Sequence, residues 1–410
     1  MQRKFVLKTA DQDVALSPGA GAAAHVLEET HVATARELPT RARRPVRRRW
    51  AINGDFLTLR HNGVARYARQ VTHQLDALVG EGHPLTRDLD LQLIAPCVTE
   101  RELSNIPVRV VPEFRYPRLP QVWVQMQLPL HVQGGLLSFC NLAPVAVRRQ
   151  IACIHDLHTK LMPESYSPLF RLAHNVILPL LGRRARRITT VSNLSKEHLV
   201  AFGVAPQDKI VVTYNGSDHA RGWDGRRSKL RGEGRPYVLC FGRPEKYKNT
   251  ELLTELAPLL QQIGLELWVA GDVDAAAFPS AAAPQSNVRI LGRISDDDLA
   301  KALSGAVCFL FPSRIEGFGL PAVEAMIHRC PVVASTAPCL PEICGDAALY
   351  ADPDDVEGWL NAIQRLSSDS SLRTSLVESG WARAERYSWR AIAEHYLVLM
   401  NDIDGEGATD

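Results

Sequence analysis

The sequence predicts an α/β protein built from two doubly wound, parallel-sheet domains. Short apolar runs alternate with longer periodic stretches from Arg49 onward, the alternation restarts after a charged, glycine-rich segment at 221–235, and the net charge reverses sign across that segment. Strands that each lead into a helix give parallel sheets covered on both faces, because a parallel neighbour is reached only through a crossover. The 410 residues are 46% apolar and 22% charged, which excludes disorder as the whole story. That length suggests two domains at ~100–200 residues each, and either can bury its own core without disulfides or a structural metal.

Taken in order, the apolar runs of the first half place strands at 49–53, at 91–95, near 136–139, at IACIHD (151–156), at 188–191 and at 210–214. Helical spacing places helices at 63–79, 168–182 and 195–202 between them. The second half repeats the scheme with YVLCFG (237–242), LELWVAG (265–271), VRILG (288–292), AVCFLFP (306–312) and PVVAS (331–335) as strands. Its helices fall at 249–262, at 296–304, from 321 and at 355–367. The expected division is an N-terminal extension at 1–48, a first domain at 49–230, a second at 231–385, and a final helix and tail at 386–410, with the boundary in RGWDGRRSKLRGEGR.

Residues 1–48 read as an appendage, partly disordered, with SPGAGAAAH followed by the arginine cluster TRARRPVRRRW. Gly19 to Ala24 formally matches a dinucleotide fingerprint, but no apolar strand precedes it and the motif means little outside a strand–turn–helix. The opening MQRKFVLKTADQDV carries charge and no apolar stretch, so no cleaved secretion signal is expected, and no apolar run reaches the ~18 residues of a membrane span. Eight cysteines, with Cys153, Cys240, Cys308 and Cys330 in or beside apolar runs, read as reduced buried thiols in a cytosolic protein. The net charge of +2 conceals +13 over residues 1–230 and −11 over 231–410. One basic and one acidic half suggest that the first meets an anionic surface or acceptor.

The chemistry concentrates in FLFPSRIEGFGLPAVEAM (309–326). A strand ends at Pro312, Gly317 and Gly319 make a loop that lets a ligand approach, and Pro321 begins a helix where its missing N–H costs nothing. The backbone N–H groups of Phe318, Gly319 and Leu320 at that helix start can receive an anion, at the strand end where α/β sheets bind ligands. Glu316 and Glu324 can border the same pocket, one facing a sugar and the other a ribose diol. Taken singly, each also reads as a dipole-complementing or solvated residue. In CFGRPEKYKNTELL (240–253), Arg243 and Lys248 can clamp a diphosphate, or simply decorate a basic loop. In the first half, Gly63 opens a helix where phosphate can come close, or is a turn glycine. His155 and Asp156 follow a strand into the same crevice, where His155 is a candidate sugar contact.

In this order the motifs resemble the retaining glycosyltransferases of the GT-B fold, the group-1 (family 4) superfamily, over roughly residues 49–395. The likeness rests on E-G-F-G-L-P-A-V-E with Glu316 and Glu324, on G-R-P-E-K-Y-K-N, I-H-D-L (154–157), V-S-N-L-S (191–195), Y-N-G-S-D (214–218) and P-E-I-C-G-D-A-A-L-Y (341–350). The resemblance implies two Rossmann-like domains facing across a cleft, an acceptor-binding one first and a nucleotide-sugar-binding one second, with the last helix, around Tyr387–Met400, crossing back. It implies that Arg243 and Lys248 hold the donor diphosphate, Glu324 the ribose and Glu316 the donor sugar. Gly63 and His155 match the family's phosphate-loop glycine and sugar-contacting histidine. Arg60-His61-Asn62 stands before Gly63 where many relatives carry a second glycine or small residue, and residues 1–48 have no counterpart.

The expected activity is hexosyl transfer from a nucleoside-diphosphate sugar, with GDP-mannose suggested by likeness to bacterial exopolysaccharide and O-antigen transferases. The expected acceptor is a lipid-linked saccharide or polysaccharide, with no cofactor, metal or nucleic acid involved. The triplets Asp88/Asp90, Asp272/Asp274 and Asp352/Asp354 would fit a metal-dependent transferase instead. A non-catalytic sugar-nucleotide-binding scaffold or a nucleotide-sugar epimerase would also fit the framework. Finally, SYSPLFRLAHNVILPLLGRRARR (165–187) spaces Leu169, Leu172, Val176 and Leu180 along one helix face and ends in Arg183, Arg184, Arg186 and Arg187. That combination predicts docking of the first domain on the anionic cytoplasmic face of the inner membrane, against the plainer reading of a core-facing helix with a solvated basic end.

Overall fold

A computed structural model describes residues 48–59, 62–97, 103–114, 120–230, 234–273, 278 and 286–406. The Gly19–Ala24 match, the arginine cluster up to Arg47, Arg60-His61 and Asp274 lie outside the described residues. So do 231–233 of the boundary segment and the last four residues of the tail.

Two parallel sheets carry the fold. The first contains β1 (Arg48–Asn53), β2 (Leu89–Ala95), β3 (Val108–Val110), β4 (Gly135–Ser138), β5 (Gln150–Cys153), β6 (Arg187–Thr190) and β7 (Ile210–Val212), in the order β3-β2-β1-β4-β5-β6-β7. The second contains β8 (Tyr237–Phe241), β9 (Glu266–Ala270), β10 (Val288–Gly292), β11 (Phe309–Phe311), β12 (Val332–Ser335) and β13 (Ala348–Ala351), in the order β10-β9-β8-β11-β12-β13. In each sheet the order reverses beside the first strand, between β1 and β4 and between β8 and β11, and a crevice opens at the strand ends of such a reversal. The central strands are buried on both faces, as in RRWAIN and YVLCF, which is why they read as continuous apolar runs.

Helices cover both faces where the sequence placed them, and local chemistry sets their ends. Asn62 caps the helix Gly63–Gly80 by accepting from Ala65 N at 2.9 Å, Ser192 caps Asn193–Ala201, and Ser295 with Asp298 forms a reciprocal capping box on Asp296–Gly305. Several elements escape the apolar pattern, among them these. β3 is a three-residue, exposed edge strand. The turns through Trp123–Leu130 are interrupted by Pro129. β13 is ALYA, weak in β-branched residues, and the helix Ser370–Ala384 buries only Leu376, Gly380 and Ala384.

The chain crosses between the halves at two neighbouring places. Ser217 N donates to Tyr387 O at 2.9 Å and Ser217 Oγ to Ala384 O at 2.9 Å, so the segments around 217 and 387 run together. A Cβ on Gly216 would stand 2.4 Å from Trp389 N, which makes glycine obligatory at that approach. The last helix, Trp389–Glu406, then packs on the first half. Tyr396 Oη meets Tyr67 Oη at 2.8 Å, Arg390 grips Glu81 with two hydrogen bonds at 2.9 and 2.7 Å, and Asp404 accepts from Trp50 Nε1 at 3.0 Å. Arg48 and Arg149 hold the same Asp404 carboxylate.

Candidate active site

The loop after β11 runs from Pro312 to Gly319 and enters the helix Leu320–Ile327. Gly319 sits at φ +95°, and a Cβ there would meet Leu340 Cδ2 at 2.6 Å. It caps the helix without a side chain, so no side-chain oxygen satisfies the first N–H groups. Glu316, in the loop, lies 2.5 Å from Lys248 Nζ, and both side chains are largely buried. The two loops are tied together, since Arg314 N donates to Tyr247 O at 2.8 Å and the Arg314 guanidinium to Asn249 Oδ1 at 3.1 Å. Lys248 also stands over the rings of Tyr247 and Phe311, at 5.2 and 5.8 Å. Arg243 is exposed, and among the described residues its guanidinium has no partner. Of the two cations, then, Lys248 is engaged and Arg243 is open.

The first half meets this loop directly. A Cβ on Gly317 would lie 3.1 Å from His155 O and 3.3 Å from Asp156 Cβ, so the E-G-F-G turn rests against the strand end that carries His155. His155 is buried, its Nε2 donating to Phe139 O at 2.8 Å and its backbone N to Asn141 Oδ1 at 2.8 Å. Burial opposes a charge on this ring, but Cys153, the Phe139 carbonyl and Asp156 outweigh it and its pKa is pushed up to about 8. His158 packs against Tyr247 with ring centres 5.1 Å apart. Tyr166, pushed up to about 12 chiefly by burial, hydrogen-bonds the same Tyr247. His155, Lys248 and Glu316 are therefore brought to one seam.

Gly63 and Glu324 are related through Arg66, on the helix that Gly63 opens. Gly63 is the first residue of its helix with open space where a Cβ would stand, and Asn62 already caps Ala65 N. With its helix starting at Leu320, Glu324 opens the second turn and is only 5% exposed, so it is neither solvated nor at the helix end. Its Oε1 lies 2.9 Å from His219 Nε2 and 3.8 Å from Arg66 Nε. Arg66 also binds Asp296 through both terminal nitrogens, at 3.2 and 2.9 Å, and its guanidinium lies 5.1 Å from the centre of the Trp223 ring.

Arg66 and His219 are residues that the motif reading passed over. Arg66 lies one turn beyond Gly63, and His219 directly follows Y-N-G-S-D. Asp55, two residues past β1, is a third: burial raises its carboxyl pKa to about 7, and among the described residues its buried Oδ1 has no hydrogen-bond partner. The acidic triplets stand apart from one another. Asp90 faces Arg49 at the far end of β2, Asp272 binds Arg293, and Asp354 binds Arg314.

The basic helix is placed differently from a core helix. In Pro168–Arg184, His174, Leu178 and Leu181 face inward, whereas Leu169, Leu172, Val176 and Leu180 are exposed by 73, 60, 52 and 38%. At its end Arg148, Arg183, Arg184, Arg186, Arg187 and Lys209 line a cavity of about 580 Å³, at the strand edge opposite the seam. No helix among the described residues is long and apolar enough to cross a membrane.

Comparison with known proteins matches residues 61–221 to a family model described as Glycosyltransferase Family 4, and residues 235–369 to one described as Glycosyl transferases group 1. The chain is 31% identical over 263 residues to O-antigen chain mannosyltransferase B of Escherichia coli, a match covering 60% of this chain and 68% of that protein. It is 26% identical over 224 residues to O-antigen chain mannosyltransferase RfbU of Salmonella typhimurium, covering 54% and 61%. The structure superposes on sucrose-phosphate synthase from Thermosynechococcus elongatus with a TM-score of 0.66 at 20% identity, over 88% of this chain and 100% of the other.

Proposed function

This chain belongs to the group 1, family 4 glycosyltransferases of GT-B fold, and we propose that it moves a hexosyl group from a nucleoside-diphosphate sugar to a lipid-linked saccharide or polysaccharide, with retention of configuration. The observation that carries this is the seam itself: an uncapped helix start, Lys248 paired to Glu316, and Gly317 resting against the His155 strand end. As the glycosidic bond to phosphate breaks, the leaving diphosphate gains negative charge and the sugar becomes oxocarbenium-like. Arg243, Lys248 and the N–H groups of Phe318, Gly319 and Leu320 stabilise that diphosphate, and the N–H dipoles, held by the backbone, need no reorganisation as charge develops. These groups neutralise the phosphates without a divalent ion. Gly63 leaves room for phosphate at the facing helix start. Glu316, compensated by Lys248, orients the sugar rather than attacking it, since a carboxylate held in an ion pair is a poor nucleophile; His155 faces the sugar from the other half. Glu324 receives the ribose.

GDP-mannose is the donor we favour, supported by the two mannosyltransferase relatives. The exposed apolar face of Pro168–Arg184 and the arginine-lined cavity beside it support a peripheral site on the cytoplasmic face of the inner membrane.

Thermal melting with GDP-mannose, UDP-glucose and UDP-galactose tests the donor. Saturation at ~100 times Kd adds about 2.7 kcal/mol, so GDP-mannose is expected to raise the midpoint clearly, with or without EDTA, and less so in Lys248→Ala. Indifference to all three sugars would overturn the reading, and stabilisation abolished by EDTA would overturn metal independence.

A further inference from the structure

The Glu324 carboxylate is held by a residue to which nothing above gives a role. His219 Nε2 lies 2.9 Å from Glu324 Oε1, and His219 Nδ1 lies 2.8 Å from the indole Nε1 of Trp389. An indole N–H can only donate, so Nδ1 accepts, and the ring hydrogen of the neutral histidine sits on Nε2, aimed at the carboxylate. The side chains of His219 and Glu324 are 3 and 7% exposed, which leaves water little access to replace this contact.

The donor of that indole hydrogen bond is itself fixed. Trp389 is fully buried, its backbone N–H donates to Asp218 Oδ1 at 3.0 Å, and the edge of its ring meets Tyr67 with centroids 5.5 Å apart. The chain Trp389–His219–Glu324 therefore runs from the crossing point of the two halves to the candidate donor site. Arg66 approaches the same carboxylate oxygen at 3.8 Å, and among the described residues Oε2 accepts no hydrogen bond. One carboxylate oxygen is pinned while the other is left to accept hydrogen bonds.

We propose that His219 is a positioning residue, which fixes the Glu324 carboxylate so that Oε2 receives the ribose hydroxyls of the donor. This rests on the reading of Glu324 as the ribose contact. A glutamate side chain turns about three bonds, and pinning one oxygen before the donor arrives removes that freedom from the binding step. Nothing in the arrangement touches the transferring sugar, so the effect falls on nucleotide affinity and not on the chemical step.

Titration calorimetry with GDP, UDP and their 2′,3′-dideoxy forms tests it on the full-length protein. Wild type is expected to bind the tighter of the two nucleotides at least about tenfold better than its dideoxy form, because the lost hydroxyls leave the carboxylate unpaired. In His219→Ala that preference should shrink to about twofold, while affinity for the dideoxy form hardly changes. His219→Gln, whose amide N–H reaches about as far as Nε2, should restore most of it. A preference undiminished in His219→Ala, or lost equally from the dideoxy form, overturns the positioning role and leaves the donor site standing. A wild type without that preference, or a Glu324→Ala protein that keeps it, overturns the ribose reading and this inference with it.

Discussion

A carboxyl group two residues past the end of β1 has its pKa raised to about 7 because burial disfavours its charge, and among the described residues its Oδ1 meets no donor. This is Asp55. From the ordinary carboxylate value up to about 7 the folded protein keeps a proton that the unfolded chain releases, so stability falls as pH rises through that window. Asp55→Asn reproduces the protonated shape and should melt higher than wild type at pH 7.5, while the two coincide near pH 4. Equal midpoints at both pH values would mean that Asp55 is not held uncharged. The two candidate diphosphate cations separate at the same scale. Lys248 is bound to Glu316, so Lys248→Ala also strands a nearly buried carboxylate, at about 3–5 kcal/mol for a broken buried pair. Arg243 is exposed and unpaired among the described residues, so Arg243→Ala removes only charge. Turnover in Arg243→Ala should drop by about two to three powers of ten with the melting midpoint unchanged. Wild-type kinetics would place the diphosphate elsewhere.

The elements were legible in proportion to how much of each is buried. β1, β8 and β12 are sunk on both faces and show as apolar runs, whereas β3 is exposed and β13 alanine-rich, so neither carries the signal. Motifs bring forward Glu316, Lys248 and His155 as candidates, and the fold gathers them at one seam, because loops at strand ends keep a fixed order along the chain. They could not locate Arg66 and His219, whose meeting with Glu324 depends on how two halves of the molecule close. The helix Pro168–Arg184 shows the ambiguity at its sharpest. Its spacing of Leu169, Leu172, Val176 and Leu180 suits a core or a membrane equally, and only the fold turns those four outward. Their exposed apolar face leads toward the arginine cavity, so in the proposed membrane docking the helix would lie flat on the bilayer. Anionic lipid attracts such a surface by about 1 kcal/mol per nearby Lys or Arg. Co-sedimentation with anionic vesicles should therefore weaken at high salt, weaken when Arg183, Arg184, Arg186 and Arg187 become Ser, and weaken again in Leu169→Ser/Leu172→Ser. Equal recovery with neutral and anionic vesicles would sink the idea.

Across the whole molecule, a basic half and an acidic half face each other, and the contacts that close the seam follow that asymmetry. Arg66 on the first half binds Asp296 and approaches Glu324 on the second. Glu342 on the second half accepts from Asn193 N, Leu194 N and Asn193 Nδ2 at 2.8, 3.2 and 2.9 Å, placing its carboxylate on the start of the helix Asn193–Ala201. A partly exposed pair such as Arg66–Asp296 contributes about 0–1 kcal/mol, the Glu342 carboxylate at a helix start a similar amount, and both are screened by salt, so they bias the two halves toward closure without locking them. Small-angle scattering should accordingly show a radius of gyration that grows with salt while the melting midpoint holds. The pair of substitutions Asp296→Asn and Glu342→Gln, which leaves Glu324 and the loop cations in place, should give the expanded form already at low salt, and GDP-mannose should contract it again by bridging Gly63 to the Gly319 helix start. A scattering curve indifferent to salt, to both substitutions and to donor would show that apolar packing through Trp389 and Tyr396, and not charge, sets the width of the cleft.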